Sequence, residues 1–570
     1  MASKLNVMVG GEAGQGVQSV GFLLAKAFAQ GGFHVFADQD YESRIRGGHN
    51  FFRVRIGDSE VGAVQEEVDI LVALNKETID LHQRELAKGG VLIFDQAKAK
   101  EVSNGNALGM AFDEIAQEKA GNKLMANTVA LGAVLGLVGY DLKVAGDILK
   151  RHFKGGDVGE ANVKAAQAGY DHAVSSFRGR FDKKVNSIGK PKGMLINGNE
   201  AISMGAIAAG CTFMAAYPMT PTTSIMEFLA KYSDEYGLVV AQPEDEIAAM
   251  TMIIGAAFAG ARAMTATSGS GFALMVEGLG LAGITETPIV VVMGQRAAPA
   301  VGLPTRTEQG DLQFVLTAAP GEFLRGVLAP ATIEDCFWAT AKAFNLAEKY
   351  QTPVILLTDQ HLASSYSVVP AFDLSKVTIE RGQLVWDKDI PDPRAYKRHR
   401  ITPSGISPRA LPGGKALVVT DADEHDEEGH LIEDAETRNN MMLKRLRKLD
   451  GMKTEINPPR VYGPPKAKNT VVGWGSTYGS LKEAVDMMRG EGADINLLHL
   501  NELWPFPAEA VSAVLDGASR SFVVENNATG QLARLIRAET GKKVTGTVLK
   551  FDGRPFSPAH IVRELKKEVA

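Results

Sequence analysis

The chain has 570 residues, 45% of them hydrophobic and 22% charged, with a formal net charge of −6. This is the profile of an ordinary globular protein of about three to four domains, and with no basic stripe or basic amphipathic tail it argues against nucleic acid or a membrane surface as partner. The only cysteines, Cys211 and Cys336, are too few for a disulfide framework or for the four thiolates an iron–sulfur cluster normally takes, so any redox centre the protein serves is expected on another chain.

The opening stretch, MASKLNVMVGGEAG, has no apolar signal core and no cleavage pattern, so a cytoplasmic location is expected. LNVMVGG, FHVFAD, DILVALN and GVLIFD then read as buried strands, with a helix over GVQSVGFLLAKAFAQGG. That order predicts βαβ units on a parallel sheet. Between the first strand and the helix lies GGEAGQGVQS. Gly14 and Gly16 suit close backbone approach to a phosphate at a helix N-terminus, and Asp38 ends the next strand where a ribose-binding acid would lie. A dinucleotide fingerprint would also want glycine at 19, where serine stands. A nicotinamide or flavin site, a site for another nucleotide-tailed cofactor and a ligand-free turn all remain open. The following loop, DQDYESRIRGGHN, carries Arg44 and Arg46, an anion clamp or a pair of surface ion pairs. LMANTVALGAVLGLVGY is broken by Asn127 and three glycines and is expected as a buried helix, not a membrane span. The first domain is placed at residues 1–185, followed by a polar linker.

A second α/β block is predicted over 193–366, with strands at LVVAQ, AMTATS, IVVVMG and VILLTD. In AAYPMTPTTS, Pro218 and Pro221 bracket Met219 and Thr220 and stiffen a hydroxyl-bearing loop suited to positioning a ligand. QPEDEIAAM puts Glu244, Asp245 and Glu246 at the mouth of a helix so rich in Ala, Ile, Met and Gly that nearly complete burial is expected. Acids there cap free amides and complement the helix dipole. The stripe of Glu246, however, runs over Met250, Ile253 and Ala257, and a carboxylate on an apolar stripe costs free energy without a partner. TATSGSGFALM is a strand, a Gly-rich turn and a helix without the ending of a P-loop. In MGQRAAPAVGLPTRTEQGDLQF, Arg296 follows a strand end, where open α/β sheets bind ligands, and Arg306 sits among hydroxyls. Arginines there suit an acidic substrate or surface ion pairs.

Residues 367–468 change in texture, rich in Pro, Arg and acids, and read as an extended connector with one helix, AETRNNMMLKRLRKLD. DADEHDEEGH holds metal-ligand residue types at no defensible spacing and is expected as a solvated acidic run. Residues 469–570 return to α/β, with strands at TVVGWGS, INLLHL, SRSFVVENN and GTVLKFDG.

YPMTPTTS, QPEDEIAA, TATSGSGFALM and GQRAAPAVGLPTRTEQGD resemble, in that order, the α subunit of the 2-oxoacid:ferredoxin oxidoreductases. GGEAGQGVQS and YESRIRGGHN resemble that family's γ domain, here fused ahead of the α part. VGWGSTYG, LNELWPFP and VVENNATGQL are similar to its second, transketolase C-terminal-like domain. The resemblance covers nearly the whole chain, and the fusion and LPTRTEQGD look most like the 2-oxoglutarate and broad 2-oxoacid members. It implies an α/β fold in which a γ-type domain precedes a thiamine-enzyme pyrimidine-binding domain and a transketolase C-terminal-like domain. It implies CoA-dependent oxidative decarboxylation of 2-oxoglutarate to succinyl-CoA with reduction of ferredoxin, or the reverse reaction of a reductive cycle. Pyruvate or a branched-chain oxoacid as substrate, a non-catalytic scaffold of the same fold and a nicotinamide-dependent enzyme are the alternatives. By resemblance, Glu246 hydrogen-bonds the aminopyrimidine of thiamine diphosphate, leaving capping to Glu244 and Asp245. Thr220 lies near the reacting carbon, and Tyr217, Pro218, Ser268 and Gly269 line the cofactor. Arg296 and Thr305 contact the substrate carboxylate and carbonyl, with Arg306 adding charge for a dicarboxylate. Gly14, Gly16, Arg44 and Arg46 are implied for coenzyme A. No residue is implied as a metal ligand, because the Gly-Asp-Gly diphosphate–Mg²⁺ motif and the cluster cysteines are missing. Both are expected on a β subunit, in an (αβ)2 assembly with ferredoxin as electron acceptor.

Overall fold

The computed structural model describes residues 4–44, 47–99 and 105–569. Contacts divide the chain into two units, Met1–Asn197 with Ser364–Ala371 and Ser557–His560, and the remainder.

The first unit is built on an eight-stranded sheet. The four expected strands correspond, to within two residues at the ends of FHVFAD and DILVALN, to Lys4–Ala13, His34–Asp40, Val68–Ala73 and Leu86–Asp95. The sheet is not purely parallel. Gly47–Gly57, placed in a loop by the sequence reading at its start, is a long strand antiparallel to both Lys4–Ala13 and His34–Asp40. Its sequence, NFFRVRIG, alternates apolar and basic side chains. The two arginines are accommodated because Arg53 forms a two-pronged pair with Asp38 and Arg55 donates to the Ala63 carbonyl at 2.7 Å. Met194–Asn197 and Tyr366–Val369, on either side of the second α/β block, pair with each other, and Tyr366–Val369 also pairs with His34–Asp40. LMANTVALGAVLGLVGY holds the helix Ala126–Val138, buried from Thr128 onward. Its Gly132 and Gly136 face the backbone of the helix Gly156–Ser176, where a Cβ would clash with carbonyls. Among the described residues, no single helix is long and apolar enough to cross a membrane.

The second unit carries two sheets. The seven-stranded sheet has central strands Ala263–Thr267, Ile289–Gln295 and Pro353–Asp359, all parallel and fully buried, so they read as unbroken apolar runs. The short strands Phe213–Ala215 and Gly326–Leu328 add to it. The five-stranded C-terminal sheet has Asn469–Trp474 at its centre. One apolar core joins the two blocks, with Phe272, Leu312 and Val315 from the first and Trp474, Leu532 and Ile536 from the second. The segment between them contains the helix Ala435–Lys453 and short helical turns. It is pinned by buried Arg398, which donates to Gln351 Oε1 at 2.9 Å and to the Glu286 carbonyl at 2.8 Å. The acidic run within it is not uniformly solvated. Glu424 pairs with Arg438 and Arg445, and His425 is fully buried.

Candidate active site

The site forms at the C-terminal ends of the central strands of the seven-stranded sheet, where the helices and loops that follow them converge. The helix Glu246–Phe258 opens there, and its acids divide their work. Asp245 is the N-cap, accepting the Ala248 N–H at 2.8 Å. Glu244, expected to share that role, is exposed. Glu246 is 4% exposed, and its Oε1 is buried without a hydrogen-bond partner. It lies against the Gly-rich turn after Ala263–Thr267, because a Cβ on Gly271 would come within 2.6 Å of Glu246 Oε1 and would collide with Thr267 Oγ1. Glycine at 271 is therefore what lets the carboxylate and the turn meet. The hydroxyls of Thr265, Thr267 and Ser268 are also buried and unpartnered. Buried polar atoms in such number, without partners, mark a place built to receive a polar ligand.

Arg296 follows Ile289–Gln295 directly and is 6% exposed. Nη1 donates to the Thr220 carbonyl at 2.9 Å and Nη2 to Ser270 Oγ at 3.3 Å, while Nε has no partner. Burial lowers its pKa from the ordinary guanidinium value. The guanidinium thus ties the YPMTP loop to the Gly-rich turn. Ser270 in turn donates to Met219 Sδ at 3.6 Å. Thr222 and Pro221 pack where a side chain at Gly294 would go. Pro218 and Thr220 are half-buried in this loop, whereas Tyr217 is 39% exposed.

The loop 303–311 closes the other side. Thr305, Thr307 and Gln309 alternate inward and are buried, and Arg306 and Glu308 between them are half-buried. Thr307 Oγ1 donates to Asp359 Oδ1 at 3.3 Å. Gln309 donates to the Trp474 carbonyl at 2.9 Å and accepts the Asn526 N–H at 3.2 Å. Arg306 sits over the turn at Gly553, whose Cβ would fall 3.0 Å from Arg306 Cβ. The C-terminal block therefore holds the loop in place. Asp311 ends the loop, with its N–H donating to Gln295 Oε1 at 3.0 Å. Its Oδ2 is buried, unpartnered and packed against Gly269. Burial raises Asp311 to about 6, and burial together with Asp311 raises Glu308 to about 7.

The structure thus brings Glu246, Ser268, Gly269, Thr220 and Arg296 together, with Thr305 and Arg306 on the adjoining loop. The sequence reading left out Ser270, Gly271, Gln295, Glu308 and Asp311. Their signal was the string of polar residues in SGSG, MGQR and TEQGD, quoted there without roles for them. Gly14 and Gly16 belong to the other unit. Both have positive φ, Gly16 precedes the helix Val17–Gln30, and nothing lies near a Cβ built on Gly14. Arg44 pairs with Glu42 at 3.0 Å with its side chain 65% exposed. Arg46 lies outside the described residues.

Three family profiles match in tandem. Residues 6–172 match a pyruvate ferredoxin/flavodoxin oxidoreductase domain, 204–444 the thiamine diphosphate-binding domain of pyruvate flavodoxin/ferredoxin oxidoreductase, and 467–561 core domain II of pyruvate:ferredoxin oxidoreductase. A 2-oxoacid:ferredoxin oxidoreductase subunit alpha from Sulfolobus is 34% identical across 97% of this chain and 95% of its own. The chain belongs to the 2-oxoacid:ferredoxin oxidoreductases, as an α subunit. The 2-oxoglutarate synthase subunit KorA of Methanothermobacter thermautotrophicus is 33% identical over 65% of this chain and 98% of its own length. The 2-oxoglutarate:ferredoxin oxidoreductase from Magnetococcus marinus, solved with 2-oxoglutarate, coenzyme A and succinyl-CoA bound, superposes with a TM-score of 0.93 at 32% identity and covers both chains fully. The family's α/β arrangement of γ-type, pyrimidine-binding and transketolase-like domains is accordingly that of this chain.

The residues present fit thiamine diphosphate. Glu246 Oε1 is a buried acceptor without a partner, and Gly271 leaves the space a side chain would fill.

Proposed function

We propose that this chain is the α subunit of a 2-oxoglutarate:ferredoxin oxidoreductase, forming succinyl-CoA and carbon dioxide and passing an electron pair to ferredoxin, or running the reverse. The observation that carries the reading is a buried carboxylate oxygen and a buried guanidinium nitrogen, both unpartnered, on residues that lie against the same Gly-Ser-Gly turn. One suits a cofactor's ring nitrogen and the other a substrate's carboxylate. Thiamine diphosphate, when bound, supplies the nucleophilic carbon that attacks the 2-oxo group. Glu246 would hold a proton between Oε1 and the aminopyrimidine. Thr220, Tyr217, Pro218, Ser268 and Gly269 would line the ring, the first closest to the reacting carbon. Arg296 and Thr305 would orient the oxoacid, and Arg306 would add charge for a second carboxylate.

The remaining half of the chemistry is assigned to a β subunit carrying the diphosphate–Mg²⁺ site and a [4Fe-4S] cluster, in an (αβ)2 assembly that ferredoxin visits. The support is this chain's own inventory, two buried free cysteines with burial raising both thiols. Coenzyme A is assigned to the Gly14–Gly16 turn together with Arg44 and Arg46; the support is two positive-φ glycines before a helix that has no side-chain N-cap, the arrangement that suits phosphate.

The test is a 2-oxoacid panel on the co-purified complex. Arg296→Met should cut kcat/KM on every oxoacid by about 30-fold to 1,000-fold, the loss of a charged fork to a carboxylate. Arg306→Met should hurt 2-oxoglutarate more than 2-oxobutyrate. Equal losses remove Arg306 from specificity, and preference for pyruvate or a branched-chain oxoacid replaces the substrate named here.

A further inference from the structure

Resting on the reading of Arg306 as the side chain that adds charge for a second carboxylate, we propose that Gln309 and Gln531 are positioning residues. By clamping the loop 303–311 to the C-terminal block, they set the preference for a dicarboxylic oxoacid. The loop is supported from two sides, and the support changes at Arg306. On the near side, Leu303 donates its N–H to the Ala297 carbonyl at 2.9 Å, and the Arg306 carbonyl accepts the Ala297 N–H at 3.3 Å. Thr305 is thus fixed to the segment that follows the strand Ile289–Gln295. From the next residue onward the backbone turns to the C-terminal block. The Thr307 N–H donates to the Gly553 carbonyl at 3.3 Å, and the Gln309 N–H to the Asn526 carbonyl at 2.7 Å. The Gln309 carbonyl accepts Asn527 Nδ2 at 3.1 Å, and the Gly310 carbonyl accepts Gln531 Nε2 at 2.6 Å.

Gln309 is fully buried, and its N–H, its carbonyl and both polar atoms of its side chain all bond to the C-terminal block. Gln531 takes the far end of the loop. Its Oε1 accepts the Gln313 N–H at 2.9 Å while its Nε2 holds Gly310, so it spans the junction into the helix Leu312–Thr317. The turn that presents these partners is itself held: Asn527 Oδ1 accepts the Thr529 and Gly530 N–H groups, and Glu525 accepts from Asn527, Leu532 and Ala533. Among the described residues, none of the bonds made by the two glutamine side chains ends on a residue assigned to the cofactor or the oxoacid, so their effect passes through the loop. Taking away one amide leaves a buried carbonyl or N–H without its partner, and the loop must shift to satisfy it. The contact at Ala297 keeps Thr305 in place. Arg306, whose Cβ lies 3.0 Å from where a Cβ on Gly553 would be, loses the register with its floor. A binding group misplaced by about 1 Å can cost about 100-fold. 2-Oxoglutarate, whose second carboxylate needs Arg306, takes that loss, and 2-oxobutyrate, which lacks that carboxylate, does not.

The experiment measures kcat and KM for 2-oxoglutarate and 2-oxobutyrate in the αβ complex, with thiamine content per chain. Gln309→Met and Gln531→Met keep side-chain length and remove the side-chain hydrogen bonds. Val485→Ala serves as control, because it loosens the buried core of the C-terminal sheet on Val471, Leu481 and Phe522 and not the clamp. Each glutamine variant should lower the ratio of kcat/KM for 2-oxoglutarate to that for 2-oxobutyrate by about 10-fold to 100-fold, mostly through KM for 2-oxoglutarate, with thiamine content unchanged. Val485→Ala should keep the wild-type ratio. A wild-type ratio in either glutamine variant overturns the proposal, and Gln531→Met decides it alone if Gln309→Met does not assemble. An equal fall in Val485→Ala also overturns it, because the loss then follows from loosening the block in general. If Arg306→Met lowers the ratio and the glutamine variants do not, this inference fails and the 2-oxoglutarate reading stands. If the complex uses neither oxoacid, both fail.

Discussion

Asp245 and Glu246 are neighbours in sequence with opposite surroundings, and that contrast separates a cap from a reactive group. The cap spends its oxygen on the Ala248 N–H, and the next acid spends Oε1 on nothing among the described residues. Asp245→Ala should lower stability by about 1 kcal/mol through the lost cap and leave turnover per folded complex intact. Glu246→Gln keeps shape and hydrogen-bonding capacity but cannot share a proton with a ring nitrogen. Turnover in the assembled complex should fall at least about 100-fold, with cofactor content unchanged. Equal turnover for the two variants would make Glu246 a second structural acid. Asp311 makes a complementary statement about stability. Its folded-state pKa of about 6 lies above that of a free aspartate, so ionising it in place costs stability as pH rises from about 4 to about 6, and the cost persists above. Asp311→Asn should therefore stabilise the chain at pH 8, on the order of 2 kcal/mol, and by much less at pH 5. Equal melting shifts at both pH values would show that the carboxyl is not held neutral.

Elements built on unbroken apolar runs were legible in the sequence, and those whose fate depends on distant partners were not. IVVVMG and VILLTD declare parallel central strands without help. NFFRVRIG declares nothing until Asp38 and the Ala63 carbonyl are seen to take its arginines. TEQGD has no local periodicity, because its buried residues are satisfied by Trp474, Asn526 and Asp359, far along the chain. The helix Ala435–Lys453 was visible as a helix, but its Lys444 and Lys448 look like solvent residues and are in fact buried ligands of Glu286. Although burial alone would raise Glu286, Lys444, Lys448 and His399 hold it well below the ordinary carboxylate range. Glu286→Gln should therefore destabilise the folded chain by about 3–5 kcal/mol, because it strands two buried ammonium groups. Thermal melting measures this, and a loss under about 1 kcal/mol would mean the lysines reach water instead.

At the scale of the whole molecule, the helix Glu246–Phe258 is apolar on every side yet covered on only one. Its sequence predicts nearly complete burial, and in this chain Ile247 is 52% and Met252 38% exposed. Thr251 and Gly255 are exposed along the same helix, and Leu274 of the adjacent helix Gly269–Leu274 is 51% exposed. An apolar face starting at the residue after Glu246, beside the candidate site, is where the chain that completes that site would sit. Gly255 sharpens the point. It occupies a helix interior where, among the described residues, no atom beyond its own helix backbone lies within 4 Å of where a Cβ would be, so the described residues give no reason for a residue costing about 1 kcal/mol against alanine. A partner packed close against the helix backbone does. Gly255→Arg should then produce effects of opposite sign. The isolated chain should gain about 0.5–1 kcal/mol from the better helix former. Association with the proposed β chain should fail, because a long side chain would stand where that partner's surface is expected. Alone, either form should be colourless. Co-expression followed by size-exclusion chromatography and iron absorbance reads both halves, and a full-strength coloured complex from Gly255→Arg would move the β subunit to another face of this chain.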